Sequence, residues 1–157
     1  MPGAGKSTIG VLLAKALGLD FVDTDVLIQV RQGRTLEQIL EQDGYLALRE
    51  IEARVLLDLQ PKNAVIATGG SAVYSAAAMR HLKRFGPVVY LQADVTTLLQ
   101  RVPELRGRGI AAAAGTTIEQ LAAERVPLYE QHADITVSAD LPTPEAVVAR
   151  IVALLTN

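Results

Sequence analysis

The stretch Gly3-Ala4-Gly5-Lys6-Ser7-Thr8 constrains the fold of this chain more than any other. It fills the end of the pattern G-x-x-x-x-G-K-[ST], in which a turn of successive backbone N–H groups runs straight into a helix. Small residues at 3–5 let that backbone close around an anion, and the helix starting near Lys6 points its positive end at the same place. The chemistry that needs this arrangement is the binding of a nucleoside triphosphate such as ATP. Lys6 reaches the β- and γ-phosphates, the Ser7 hydroxyl ligates Mg²⁺ and Thr8 hydrogen-bonds the phosphate tail. The alternative is a glycine-rich lead into an ordinary helix cap. A strongly patterned helix immediately follows, which weighs against it. A buried strand normally delivers such a loop. The first glycine of the pattern would fall one residue before Met1, so the expectation is that the delivering strand is missing from this chain. An apolar, β-branched run ending in Gly would then precede it in a longer protein.

The remainder of the chain is sized for one domain, 1–157, with a real core. Half of its residues are apolar and 20% are charged, the balance of an ordinary globular protein. A net charge of −2 gives no general attraction to nucleic acid or to an anionic membrane. Tryptophan is absent and aromatics make up 4% of the chain, which argues against stacking on exposed bases. The lack of cysteine excludes disulfides and thiolate metal sites. No run reaches membrane-spanning length and no secretory leader is recognisable. A cytoplasmic monomer is the expectation.

Apolar spacing divides the chain into alternating segments. Ile9, Leu12, Leu13, Ala16 and Leu17 recur with helical period, and Gly18 ends that helix. Asp20–Asp23 reads as a short strand ending in an acid. Helices are predicted at about 25–32, 35–42, 44–60, 74–84, 94–102, 117–131 and 143–155, with strands at 64–68, 88–91 and 135–137. Strands alternating with helices predict an α/β fold, a three-layer parallel sheet in which ligands bind beyond the carboxyl ends of the strands.

Candidate residues fall at those ends. Asp23 and Asp25 place two carboxylates after the first strand. One can orient Mg²⁺ and the other can bind a substrate hydroxyl, although one of the pair can simply cap the next helix. Gly69-Gly70-Ser71 follows the 64–68 strand, where glycines admit close approach of backbone N–H groups or serve only the turn. Arg49 precedes Glu52 by three positions on a helix. It is either an arginine held ready for an anionic substrate or a solvated ion pair. Arg101, Arg106 and Arg108 border a Gly/Ala-rich segment near 104–116. That segment is too poor in large apolar residues to pack a core and suits a lid carrying cations to a transferring phosphate. Arg125 is a second anion clamp or a surface residue. His81 and His132 lack a ligand pattern and read as surface histidines.

Together G-A-G-K-S-T-I-G, F-V-D-T-D, L-R-E-I-E, A-T-G-G, V-V-Y-L and E-R-V-P-L-Y-E before A-D-I-T-V resemble the shikimate kinase family, over almost the whole chain. The resemblance implies a P-loop fold with a five-stranded parallel sheet and the loop-bearing strand at its centre. It implies a nucleotide set of Gly3, Ala4, Gly5, Lys6, Ser7, Thr8, Arg101 and Arg108, with Ser7 and Asp23 on Mg²⁺. It also implies a hydroxy-acid site of Asp25, Arg49, Gly69, Gly70, Ser71 and Arg125. Lys6, Asp25 and Arg108 become the catalytic residues, and shikimate, converted to shikimate 3-phosphate, the expected acceptor. The sequence departs from the family's usual pattern in three places. Ser71 stands where a third glycine is usual, Leu48 where an aromatic is usual, and Arg108-Gly109-Ile110-Ala111 where R-P-L-L is usual. A hydroxyl at Ser71 leaves open a different small acceptor such as homoserine. A nucleotide-binding domain without catalysis is the other alternative.

Overall fold

Two parallel strand pairs, clothed by helices, carry the loops that the sequence singled out. The computed structural model describes residues 1–102 and 109–156. Helix α1 (Lys6–Leu17) starts at Gly5, whose φ of 85° suits only glycine without strain, and stops at Gly18, also left-handed. Strand β1 (Asp20–Asp23) runs into α2 (Thr24–Gln32), and the Asp23 carboxylate caps that helix by accepting the N–H groups of Asp25 and Val26. The next helix, α3 (Leu36–Leu57), opens with a capping box between Thr35 and Gln38 and kinks at Gly44. That kink is the boundary expected between separate helices at 35–42 and 44–60.

Beyond it come β2 (Ala64–Ala67), a 3₁₀ turn at Ala72–Tyr74, α4 (Ala76–Lys83), β3 (Val89–Gln92) and α5 (Val95–Arg101). The chain closes with α6 (Ile118–His132), β4 (Ile135–Ser138) and α7 (Pro144–Leu155). A second capping box, Thr117 with Gln120, starts α6, and Thr143 followed by Pro144 starts α7.

Strand β1 pairs in parallel with β2, from Asp20 opposite Ala64 to Asp23 opposite Ala67. Strand β3 pairs in parallel with β4, from Val89 opposite Ile135 to Gln92 opposite Ser138. These pairs do not meet among the described residues. Between them lies an apolar cleft of about 290 Å³, bounded by Ala64, Val65 and Ile66 of β2 and by Val88 and Val89 beside and in β3. Among the described residues the parallel sheet thus comes in two halves.

The larger apolar core runs from Ile9 and Leu13 of α1 through Tyr90, Leu91 and Leu121 to Val147 and Ile151 of α7. Helix α1 lies close on the sheet at Gly10, where a Cβ would come within 2.7 Å of the Phe21 ring. A smaller cluster gathers Ile28 of α2 with Ile39, Leu48, Ile51 and Val55 of α3, and adds Ala111. Burying an aliphatic side chain of this size stabilises by about 1.5–3 kcal/mol, so this cluster fixes α2 against α3. It also corrects the expectation that the Gly/Ala-rich segment contributes no core residue. Ala111 is 4% exposed, because its small side chain fits into that cluster while its carbonyl turns toward two arginines.

Candidate active site

The loop at Pro2–Gly5, the first turn of α2 and the turn after β2 converge on one cavity of about 560 Å³. Gly3, Gly5, Lys6, Ser7, Thr8, Asp25, Gly69, Gly70, Ser71, Arg101 and Arg125 all line it. Ala4 is buried just beneath. Arg106 and Arg108 lie outside the described residues, as does the first part of the expected lid segment.

At one end of the cavity the loop is built for close approach. A Cβ on Gly3 would come within 2.6 Å of Val102, and both Gly3 and Gly5 have positive φ. Lys6 donates its ammonium to the Met1 carbonyl at 2.8 Å. Burial lowers the Lys6 pKa, against the opposing pull of Asp25, and the nearby Arg125 lowers it further. The Ser7 hydroxyl donates to Asp23 Oδ2 at 2.6 Å, while Oδ1 of the same carboxylate caps α2. Asp23 is therefore the cap of α2, the role the sequence left open for one of the two carboxylates, while its other oxygen holds Ser7; it does not itself line the cavity. Arg101 bridges from the loop to the end of β4, donating to the carbonyls of Gly3 and Ala139, each at 3.3 Å.

Acidic groups gather beyond the end of β2. Burial raises the pKa of Asp25, with Lys6 opposing and Asp23 assisting. Glu52 is 3% exposed, and burial pushes its pKa up to about 7 even though the Ser71 hydroxyl donates to Oε2. Gly69 sits against both carboxylates. A Cβ there would collide with Glu52 Oε1 and come within 2.8 Å of Asp25 Oδ1. Its N–H donates to Oγ1 of the fully buried Thr24. A Cβ on Gly70 would come within 2.8 Å of Arg125 Nη1, and its carbonyl accepts from Tyr129 at 2.7 Å. A side chain at either glycine would displace the ends of the site's own side chains, so these glycines keep Glu52, Asp25 and Arg125 in place as well as making the turn.

Two arginines meet at Ala111, and of the two Arg125 lines the cavity while Arg49 stands behind it. Arg49 Nε and Arg125 Nη2 donate to the same oxygen, the carbonyl of Ala111, at 3.1 and 2.9 Å. Arg49 stacks 3.7 Å over the Tyr74 ring, and Arg125 Nε donates to the Tyr74 hydroxyl. That hydroxyl in turn donates to Glu124 Oε1, which also lies 3.6 Å from Arg49 Nη2. The i,i+3 pairing of Arg49 with Glu52 does not form. Glu52 turns inward to Ser71, and Arg49 is held by Tyr74 and Glu124. Arg125 is 1% exposed, not a surface residue. His81 is half-buried, bonded to the Leu59 carbonyl and edge-on to Phe85, so it is a packing residue.

The sequence did not single out Glu52, Tyr74 or Ala111 as site residues. Glu52 was visible only as a partner for Arg49. The signal available was its place on the apolar side of α3, one residue after the buried Ile51.

A family model described as shikimate kinase matches residues 2–156. The chain belongs to the shikimate kinase family. The shikimate kinase of Actinobacillus pleuropneumoniae is 36% identical over 99% of this chain and 91% of its own length. That of Vibrio parahaemolyticus is 39% identical over 98% and 91%. Among solved structures, a shikimate kinase from Acinetobacter baumannii in complex with shikimate superposes with a TM-score of 0.87 at 34% identity, covering 98% of this chain and 88% of that one. One from Aquifex aeolicus gives a TM-score of 0.84, also at 34% identity, over 99% and 92%. Family membership makes this a phosphotransferase acting on a hydroxyl group, with ATP as phosphoryl donor.

Proposed function

We propose that this shikimate kinase family member transfers the γ-phosphoryl group of ATP to a hydroxyl of shikimate, giving shikimate 3-phosphate and ADP. The observation that carries the reading is the meeting of Arg49 and Arg125 on the Ala111 carbonyl, with Ala111 and Arg125 lining the same cavity as Asp25 and the phosphate loop. A carboxylate offers this pair two fully charged oxygens in place of one carbonyl, and charge-assisted bonds are the stronger. A small ring acid held there by its carboxylate directs its hydroxyls toward Asp25 and Gly69.

The triphosphate lies along Gly3–Thr8, with Lys6 and the start of α1 countering its charge and Arg101 bordering the nucleotide side. The hard oxygens of Ser7 and Asp23 already converge and suit Mg²⁺. That ion, when bound, neutralises charge on the phosphates. Asp25 orients the acceptor hydroxyl. As the new O–P bond forms and the bond to the β-phosphate oxygen breaks, the hydroxyl proton passes to Asp25 and then to water, while ADP leaves with the electron pair. Alignment and charge stabilisation supply most of the rate.

Ser71 favours this acceptor over homoserine. Its hydroxyl proton is committed to Glu52 and is not available for donation to a ligand oxygen. ADP release from MgATP, measured with shikimate and with homoserine, tests the reading. Shikimate-dependent release is expected. Release with homoserine alone, or with neither, overturns it.

A further inference from the structure

Glu52 is buried on α3 with one oxygen satisfied and the other not. Oε2 accepts from Ser71, and Oε1 is a buried oxygen without a hydrogen-bond partner among the described residues. An orphaned buried acceptor costs about 1–3 kcal/mol unless something answers it. This one lies against Gly69, where Asp25 Oδ1 also approaches, at the wall of the main cavity. Four groups on different elements face this carboxylate: Ser71 before the 3₁₀ turn, Asp25 on α2, Lys6 on α1 and Arg125 on α6. Of these, Ser71 alone hydrogen-bonds it.

We propose that Ser71 is a positioning residue for the acceptor, acting through Glu52. Its hydroxyl ties down Oε2 and leaves Oε1 as the accepting atom beside Asp25, where it takes a hydrogen bond from an acceptor hydroxyl. The inference rests on the shikimate reading above. It assigns Ser71, where the family pattern usually has glycine, to the acceptor's affinity and its dependence on pH.

The geometry dictates the direction. A donated hydrogen bond favours the charged carboxylate, so Ser71 holds the Glu52 pKa below where burial alone would put it. Asp25 pushes it up, while Arg125 and Lys6 pull it down. Without the hydroxyl, Glu52 keeps its proton to higher pH and Oε2 is left free to turn. Glu52 is then a poorer acceptor at neutral pH.

The test is steady-state kinetics of wild type, Ser71→Ala, Ser71→Gly, Ser71→Thr and Glu52→Gln from pH 5.5 to 9, varying shikimate and MgATP separately. At pH 7 the KM for shikimate should rise about tenfold in Ser71→Ala and Ser71→Gly, the size expected for a hydrogen bond to a charged group. The KM for MgATP and kcat should stay within about twofold, since the phosphate loop is untouched. The acidic limb of kcat/KM for shikimate should move to higher pH in both variants and stay in place in Ser71→Thr, while in Glu52→Gln only the limb set by Asp25 should remain and replacing Ser71 should no longer move it. Equal shikimate KM and an unmoved limb in Ser71→Ala would overturn the inference while the kinase reading stands. Absence of shikimate-dependent turnover in the wild type overturns the kinase reading instead. Circular dichroism and nucleotide-induced thermal shift on each variant separate these outcomes from misfolding.

Discussion

Arg49 and Arg125 share one acceptor, the Ala111 carbonyl oxygen, although they lie on different helices and belong to different stretches of the sequence. Each is held from behind by Tyr74, through ring stacking for Arg49 and through the hydroxyl for Arg125. The forks are thereby pre-set, which reduces the ordering cost of binding an anion. Arg49→Ala should raise the acceptor KM about tenfold or more, with the MgATP KM nearly unchanged. An unchanged acceptor KM would return Arg49 to the status of a stacked surface cation. Arg49→Lys should rescue little, because a lysine neither stacks on Tyr74 nor presents a fork.

Gly69 has no left-handed backbone angle, so alanine is conformationally acceptable there. What it lacks is room, since its Cβ would meet two carboxylates. Gly69→Ala should therefore act through displacement of Glu52 and Asp25. The acceptor KM should rise about tenfold, with the melting temperature lowered by no more than a few degrees because the side-chain ends can shift. A large drop in melting temperature with normal KM would place the constraint in the fold and not in the site.

Glu52 makes stability and function pull apart. Folded, it holds its proton up to about pH 7, against an ordinary value of 4.5. Between those values the folded state binds more protons than the unfolded chain, so the contribution of Glu52 to stability falls as pH rises through that window and stays low above it. Glu52→Gln should thus be more stable than wild type at pH 8, by on the order of 2 kcal/mol, and the difference should shrink by pH 5. Urea melts at the two pH values check this. A variant less stable at pH 8 than wild type would mean that the ionised carboxylate is fully compensated by Lys6 and Arg125.

Lys6 reaches the Met1 carbonyl only because its ammonium points across the mouth of the loop. In Lys6→Ala the fold should persist, since the side chain contributes to neither apolar cluster, while kcat falls about a hundredfold or more through loss of a cation at the transferring phosphate. Near-normal turnover would sink the phosphate-loop assignment.

Much of this was legible in the sequence because short-range patterns carry it. Among the described residues periodicity placed the four strands and the α-helices to within a few residues but not the 3₁₀ turn at Ala72–Tyr74, and the capping pairs Thr35/Gln38 and Thr117/Gln120 bound two of the helices. Ligand-bearing residues at strand ends were visible because parallel sheets put their sites there. The inward turn of Glu52 was not legible, since an i,i+3 Arg–Glu spacing is the same whether the pair faces solvent or splits between two partners. Nor was Ala111. Its part is played by a carbonyl, which every residue has, and by a side chain small enough to fit beside Leu48. The division of the sheet into two pairs is a matter of long-range pairing, on which hydropathy spacing is silent.

The identity of the transferred group's acceptor is read most directly from the product. The chain would be incubated with MgATP and shikimate, and the mixture followed by ³¹P NMR and mass spectrometry. The account predicts a single new phosphate monoester on the 3-hydroxyl of shikimate, appearing in step with ADP. ADP formed without a shikimate ester, or no consumption of ATP by a folded, nucleotide-binding chain, would contradict it.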